Sequence, residues 1–191
     1  GVGFIANIKG KKSHELVQNA LQVLVNLAHR GACGCDPETG DGAGIIFQIP
    51  DRFFRKVTAS LPFDLPPEGD YSAGLLFFPD ALEQRSWCER LVKSTIQAEG
   101  QEWLGWRDVP TDDAYLGRIA REVKPVIRQV FIRRGPSTPP GDAFERKLYV
   151  IRKVIEKAVR ENNDSGYFYI PSLSSKTFVY KGLLMAEQVG K

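Results

Sequence analysis

The sequence predicts a mixed fold of helices and strands, and three observations carry that prediction. Two segments, 14–28 and about 143–161, place apolar residues at helical spacing. Short runs rich in Val, Ile, Phe and Tyr, bounded by Gly or Pro, read as strands. The order of these signals is β-α-β-α-β-α-β-α-β-β. Strict alternation points to a parallel doubly wound sheet. Short strands, a hairpin-like tail and the lack of a G-x-G-x-x-G turn between an early strand and a helix point away from it. The pattern alone leaves α/β and α+β open.

Each element has its own signal. Residues 2–8 are rich in Val, Phe and Ile and read as a strand, and Lys9-Gly10-Lys11-Lys12 reads as a polar turn. Ser13 is placed to cap a helix whose stripe is Leu16, Ala20, Leu21, Leu24, Val25 and Ala28. That helix ends at His29-Arg30-Gly31, with Gly31 as its C-terminal cap. A glycine-punctuated loop follows, then a strand at 43–49 stopped by Pro50 and a short helix at 51–59. Prolines in 61–69 exclude helix and predict a surface connection. Ala73 to Phe78 is a strand, and Asp80 is the expected cap of a helix running to about Gln97. Residues 100–124 read as short elements and turns, and 126–132 as a strand. Asp142 and Glu145 resemble a capping box at the start of the longest helix. The end reads as paired strands, Tyr167–Ile170 and Lys176–Tyr180, joined through Leu173-Ser174-Ser175.

Composition narrows the function class. With 191 residues, 42% hydrophobic and 10% aromatic, the chain can build a sizeable core. A net charge of +3 with interspersed signs shows no nucleic-acid patch. The basic stretch from Arg146 to Arg160 reads as a solvated helix face. Three cysteines, Cys33, Cys35 and Cys88, make no disulfide framework and fit a reducing cytosol. No apolar run reaches the roughly 20 residues that span a bilayer, so no membrane partner is expected. No Met precedes Gly1, so the start is expected to be a cut or processed end.

Candidate site residues cluster early. Gly31, Gly34, Gly40, Gly42 and Gly44 punctuate one segment, with Asp41 between two of them. Glycine there permits left-handed torsions or close backbone approach, and Asp41 is placed to hold the turn. A phosphate cradle is disfavoured, since neither a P-loop pattern nor a following helix N-terminus is present. Arg30 offers a rigid fork of donors for a carboxylate, or else a charge at a helix end. Cys33 and Cys35 do not have the ligand number of a zinc or iron–sulfur site, with only Cys88, His14 and His29 left to help. Trp87, Trp103, Trp106, Tyr167, Phe168 and Tyr169 are assigned to packing.

Six segments in register carry a resemblance. They are Gly-Val-Gly-Phe-Ile-Ala at 1–6, Leu-Ala-His-Arg-Gly-Ala-Cys-Gly-Cys at 27–35 and Thr-Gly-Asp-Gly-Ala-Gly-Ile at 39–45. The others are Pro-Val-Ile-Arg-Gln-Val-Phe-Ile at 125–132, Ala-Phe-Glu-Arg-Lys-Leu-Tyr-Val-Ile-Arg at 143–152 and Leu-Ser-Ser-Lys-Thr-Phe-Val-Tyr-Lys-Gly-Leu-Leu at 173–184. Over its whole length the chain resembles the glutamine amidotransferase domain of glutamate synthase large subunits, most like bacterial forms. The resemblance implies an α+β N-terminal-nucleophile hydrolase, a four-layer αββα sandwich with two mainly antiparallel sheets, incomplete at the C-terminal end. It implies one partial amidotransferase domain over 1–191, a cytoplasmic location, L-glutamine as substrate and hydrolysis to glutamate and ammonia.

The resemblance also implies a nucleophilic cysteine immediately before Gly1, and an oxyanion Asn-Gly and a carboxylate-binding arginine beyond Lys191. On that reading no catalytic residue lies in the chain, and the chain alone is expected to be inactive. Arg30, Gly31, Asp41, Gly42 and Gly44 are its expected site-supporting residues, with no metal among them. FMN and an iron–sulfur cluster are expected in the synthase region of the parent, where ammonia meets 2-oxoglutarate. Expected partners are the remaining domains of the large chain and a small electron-transfer subunit. The alternative is a non-catalytic interaction or regulatory module on the same fold.

Overall fold

A computed structural model describes residues 1–30, 39–162 and 166–190. The chain folds into two compact units. One unit takes residues 1–48, 110–124 and 179–191, and the other takes 49–109 and 125–178.

The second unit holds the core. Its sheet has the order β3-β4-β2-β5, made by β2 (Tyr71–Phe78), β3 (Glu102–Asp108), β4 (Val126–Arg133) and β5 (Tyr169–Ser174). Every neighbouring pair is antiparallel. All eight residues of β2 are buried, because this strand is central and covered on both faces. One face carries Leu76, Phe78, Val130 and Ile132 against the helices α3 (Leu82–Ala98) and α5 (Asp142–Glu161). From the helices come Cys88, Val92, Ile96, Phe144, Leu148, Ile151 and Ile155. Beyond the alternate residues of the sheet, Phe54 of α2 (Asp51–Thr58) meets Phe131 and Phe178 edge-on, at 5.4 and 5.2 Å between ring centres. Each such fully buried ring contributes about 2–3 kcal/mol.

Asp51 holds the start of α2. It accepts from the buried Tyr71 hydroxyl at 2.9 Å and from Arg55 Nε at 2.9 Å. Arg55 also donates to the carbonyls of Leu65 and Pro66, at 3.0 and 2.6 Å. The proline-rich segment is therefore tied down, and Phe63 within it packs on Phe131 at 5.6 Å.

The first unit is built on α1 (His14–Asn26), which Ser13 caps by accepting from Leu16 N at 3.3 Å. Asn7 shapes the preceding turn by accepting from the N–H groups of Lys9 and Lys11. The helix packs on β1 (Ala43–Gln48) and on a 3-10 turn at Ala186–Gln188. β1 pairs with β6 (Thr177–Gly182). The backbone at Gly40, Gly42 and Gly44 faces Leu184, Gly182 and Tyr180 in turn, so the two segments run in opposite directions. Helix α4 (Arg118–Glu122) completes this unit. The fold class is thus α+β with two antiparallel sheets, and the parallel alternative is excluded.

Several elements differ from expectation. Residues 2–8 form no strand, since no neighbouring strand supplies a hydrogen-bond ladder, and Val2, Phe4 and Ile8 stand exposed. The tail is not a hairpin: β5 joins β2 and β6 joins β1. Strand β3 lies where short elements were expected, because a register shift between Trp103 and Gly105 breaks the alternation. Ala81 rather than Asp80 stands at the cap of α3. Gly141 caps α5 at φ 74°, and no side chain closes a capping box there. The 1–30 segment ends in a 3-10 turn at Ala28–Arg30. Gly31, the expected cap, lies outside the described residues, as do Cys33 and Cys35.

Candidate functional site

The candidate site residues that are described all belong to the first unit. The chain from Gly1 runs along the C-terminal half of α1. A side chain at Gly1 would lie 3.2 Å from Leu27 and 3.5 Å from Arg30 Cδ. One at Gly3 would lie 2.5 Å from Val23. The Gly-x-Gly spacing therefore lays both glycines on the helix, while Val2 and Phe4 point away.

Arg30 sits in the 3-10 turn, its N–H donating to the Leu27 carbonyl at 2.9 Å. Its side chain is exposed and makes no ion pair among the described residues. Its neighbour His29 lies 3.0 Å through Nδ1 from the Asn26 carbonyl. A carbonyl only accepts, so the proton is on Nδ1, and His29 serves the helix end. The dipole-complementing reading thus suits His29, while Arg30 stands against the backbone of Gly1.

The second cluster is the segment Thr39 to Gly44. A side chain at Gly40 would collide with the carbonyl of Leu184. One at Gly44 would come within 2.5 Å of the Tyr180 oxygen. Gly42 is different: its φ is 125°, and its nearest neighbour would be the Gly182 oxygen at 3.5 Å. Two glycines are needed for close approach and the third for its torsion. Asp41 is exposed, and no hydrogen bond reaches its carboxylate among the described residues. No hydrogen bond or ion pair among those residues joins Arg30 to Asp41.

Thr39 lies inside the glycine-rich motif, yet sequence reasoning does not single it out. It is 5% exposed, and its hydroxyl accepts from Ala120 N at 3.3 Å. A buried hydroxyl in a polar, glycine-rich stretch has no sequence signal of its own. The Leu184 carbonyl that packs on Gly40 escapes notice too, since a backbone carbonyl carries no residue-type signal.

Of the thiols, Cys88 is described. It is fully buried, and burial first, then the nearby Glu89 carboxylate, push its pKa up to about 11. A thiol so protonated is a poor nucleophile or ligand at neutral pH. Among the described residues, no three His, Cys, Asp or Glu side chains stand together. No helix among the described residues is long and apolar enough to cross a membrane.

In the first unit, then, the Gly1–Gly3 segment lies on the C-terminal half of α1 and its helix-end arginine, and the Gly40–Gly44 segment is close-packed on the 180–184 backbone. The model of the class-II glutamine amidotransferases matches residues 1–191, and the chain belongs to that family. Within it, the chain is similar to glutamate synthases. It is 46% identical over 190 residues to the NADPH glutamate synthase large chain of Bacillus subtilis, covering 99% of this chain and 12% of that one. It is 39% identical over 193 residues to a ferredoxin-dependent glutamate synthase of Arabidopsis thaliana, covering 100% and 12%. The large chain of Azospirillum brasilense is 37% identical over 192 residues, covering 99% and 12%. The chain thus spans about 12% of the length of the relatives it matches. All three relatives carry enzyme names, which does not favour the non-catalytic module.

Proposed function

We propose that this chain forms part of the glutaminase domain of a glutamate synthase large chain, acting on L-glutamine. The carrying observation is the backbone of Gly1 lying on Leu27 and beside Arg30. A residue placed before Gly1 in the longer chain would continue from that position. We assign that place to a cysteine.

In this reading the cysteine thiolate attacks the side-chain amide carbon of glutamine. The C–N bond breaks, and ammonia leaves with a proton from the α-ammonium group. That group suits the role because its pKa is about 7.7–8.0. Water then cleaves the thioester, releasing glutamate and restoring the thiol. Arg30 orders the backbone around the nucleophile, and Asp41, Gly42 and Gly44 with Gly31 shape a wall of the glutamine site. The ammonia is consumed in the synthase region, where it condenses with 2-oxoglutarate and loses water, and a two-electron reduction, for which FMN and an iron–sulfur cluster would deliver the electrons, gives a second glutamate. A small subunit or another donor supplies the electrons there, and the location is cytoplasmic.

The test compares two chains. The 191-residue chain should release no glutamate from glutamine above a blank. A longer chain, with cysteine before Gly1 and the parent sequence after Lys191, should release it at an ordinary enzymatic rate. Equal turnover by both, or none by the longer chain, would defeat the reading.

A further inference from the structure

Helix α4 is five residues long, and the residue at its N-cap, Gly117, has no side chain to cap it. The first N–H groups of a helix have no partner within it, and a cap residue normally offers its side-chain oxygen to the second or third. Ala120 is the third residue of α4, and its N–H donates to the Thr39 hydroxyl, 81 positions away in the chain. Thr39 is 5% exposed and Ala120 is 6% exposed, so water is a poor substitute for that contact.

We propose that Thr39 is the N-cap of α4 supplied from a distance, and that α4 is thereby a positioning element for the Gly40–Gly44 segment. The inference rests on the reading of that segment as a wall of the glutamine site. Two further contacts make the anchoring two-sided. Immediately after Thr39, Gly40 is pressed against the Leu184–Met185 backbone. That backbone is held in turn by Gln188, whose Oε1 accepts from Met185 N at 2.7 Å. The start of the segment is therefore fixed between α4 and the turn at 186–188. Sliding Thr39 would leave a buried N–H without its acceptor. Thr39 acts through the glycine backbone and is a positioning residue, not a catalytic one.

The experiment uses the full-length chain with Thr39→Val, which keeps the shape and removes the acceptor, and Thr39→Ser, which keeps the acceptor. Amide exchange at Ala120 should be roughly tenfold faster in Thr39→Val and near the parent rate in Thr39→Ser. The kcat/KM for glutamine should fall about fivefold in Thr39→Val, carried by KM, and recover in Thr39→Ser. Unchanged exchange at Ala120, unchanged kinetics in Thr39→Val, or an equal loss in both variants would overturn the proposal. An unmutated full-length chain with no glutaminase activity would defeat the functional reading instead, and amide exchange would still decide the cap.

Discussion

Gly40 and Gly44 are glycines because a backbone carbonyl occupies the place of their side chains, and only a backbone shift would admit a methyl group. We expect Gly40→Ala and Gly44→Ala each to destabilise the chain by about 1–3 kcal/mol. At Gly182 the neighbours are side-chain atoms of Leu184, Cγ at 3.3 Å and Cδ1 at 3.5 Å, which can move. Gly182→Ala should therefore stay within about 0.5 kcal/mol. Thermal melting of the three variants checks the ordering. Gly69 reads in the sequence as a tolerant surface position, yet its φ is 93° and a side chain there is strained, as at Gly42. Valine at either position should cost about 1–2 kcal/mol. Arg30 belongs to this scale as well. In the longer chain, Arg30→Ala should lower kcat/KM for glutamine about tenfold with the melting temperature kept, and Arg30→Lys should rescue poorly. Parent-like kinetics would reduce Arg30 to a helix-end charge. Arg30 and the glycines were legible as residue types at fixed spacings. Their separate reasons were not, because close approach and positive φ look alike in a sequence.

Among elements, the turn between β5 and β6 decides the topology. Glu145 of α5 accepts from Ser174 Oγ at 2.9 Å and from both the N–H and the hydroxyl of Ser175 at 2.6 Å. Ser174 Oγ also accepts from the N–H groups of Lys176 and Thr177. Lys176 reaches Asp142 on the same helix. The acidic residues that resemble a capping box thus hold the chain where it leaves one sheet for the other. Hydrogen bonds to a charged group contribute about 1.5–3 kcal/mol each when broken singly, though not additively. Glu145→Ala should therefore cost about 2–3 kcal/mol, and Asp142→Ala, at a solvent-exposed pair, distinctly less. Denaturant midpoints of the two variants separate the roles, and equal effects would contradict the clamp. Helical stripes were legible because their period survives packing, as Phe144, Leu148, Ile151 and Ile155 show. Strand pairing was not. Tyr169–Ser174 and Thr177–Gly182 lie next to each other in sequence, yet they join different sheets, with the chain held at Ser174–Ser175 where it passes between them. In β3, a bulge erased the alternation that would have marked it.

For the molecule as a whole, two buried acids set an alkaline limit. Cys88 is held up to about 11, chiefly by burial and then by Glu89. Tyr71 is raised above the usual phenol range, first by burial and then by its hydrogen bond to Asp51. Both folded pKa values exceed the unfolded ones, which lie at about 8.5 for a thiol and about 10 for a phenol. Their contribution is therefore complete below about pH 8.5 and is lost as pH rises toward and past the folded values. We expect the loss from Cys88 to be on the order of 2 kcal/mol between about pH 9 and 11. Cys88→Ala removes the thiol's titration and should flatten that part of a stability-versus-pH curve; an unchanged slope would refute the assignment. At pH 8 the native thiol should also resist alkylation until the chain is unfolded. The division into units was not visible along the sequence, where no linker interrupts the chain. It follows from pairing residues as far apart as Gly40 and Leu184, and it matters during synthesis. The first unit draws on residues 1–48, 110–124 and 179–191, whereas the second is complete at residue 178. A ribosome adding about 5–20 residues per second would expose the apolar stripe of α1 for on the order of ten seconds before β6 emerges. The glycine segment of the first unit is thus made well before the strand it pairs with. For that interval a nascent chain depends on whatever in the cell shields Leu16, Leu21 and Leu24 from their neighbours on the polysome.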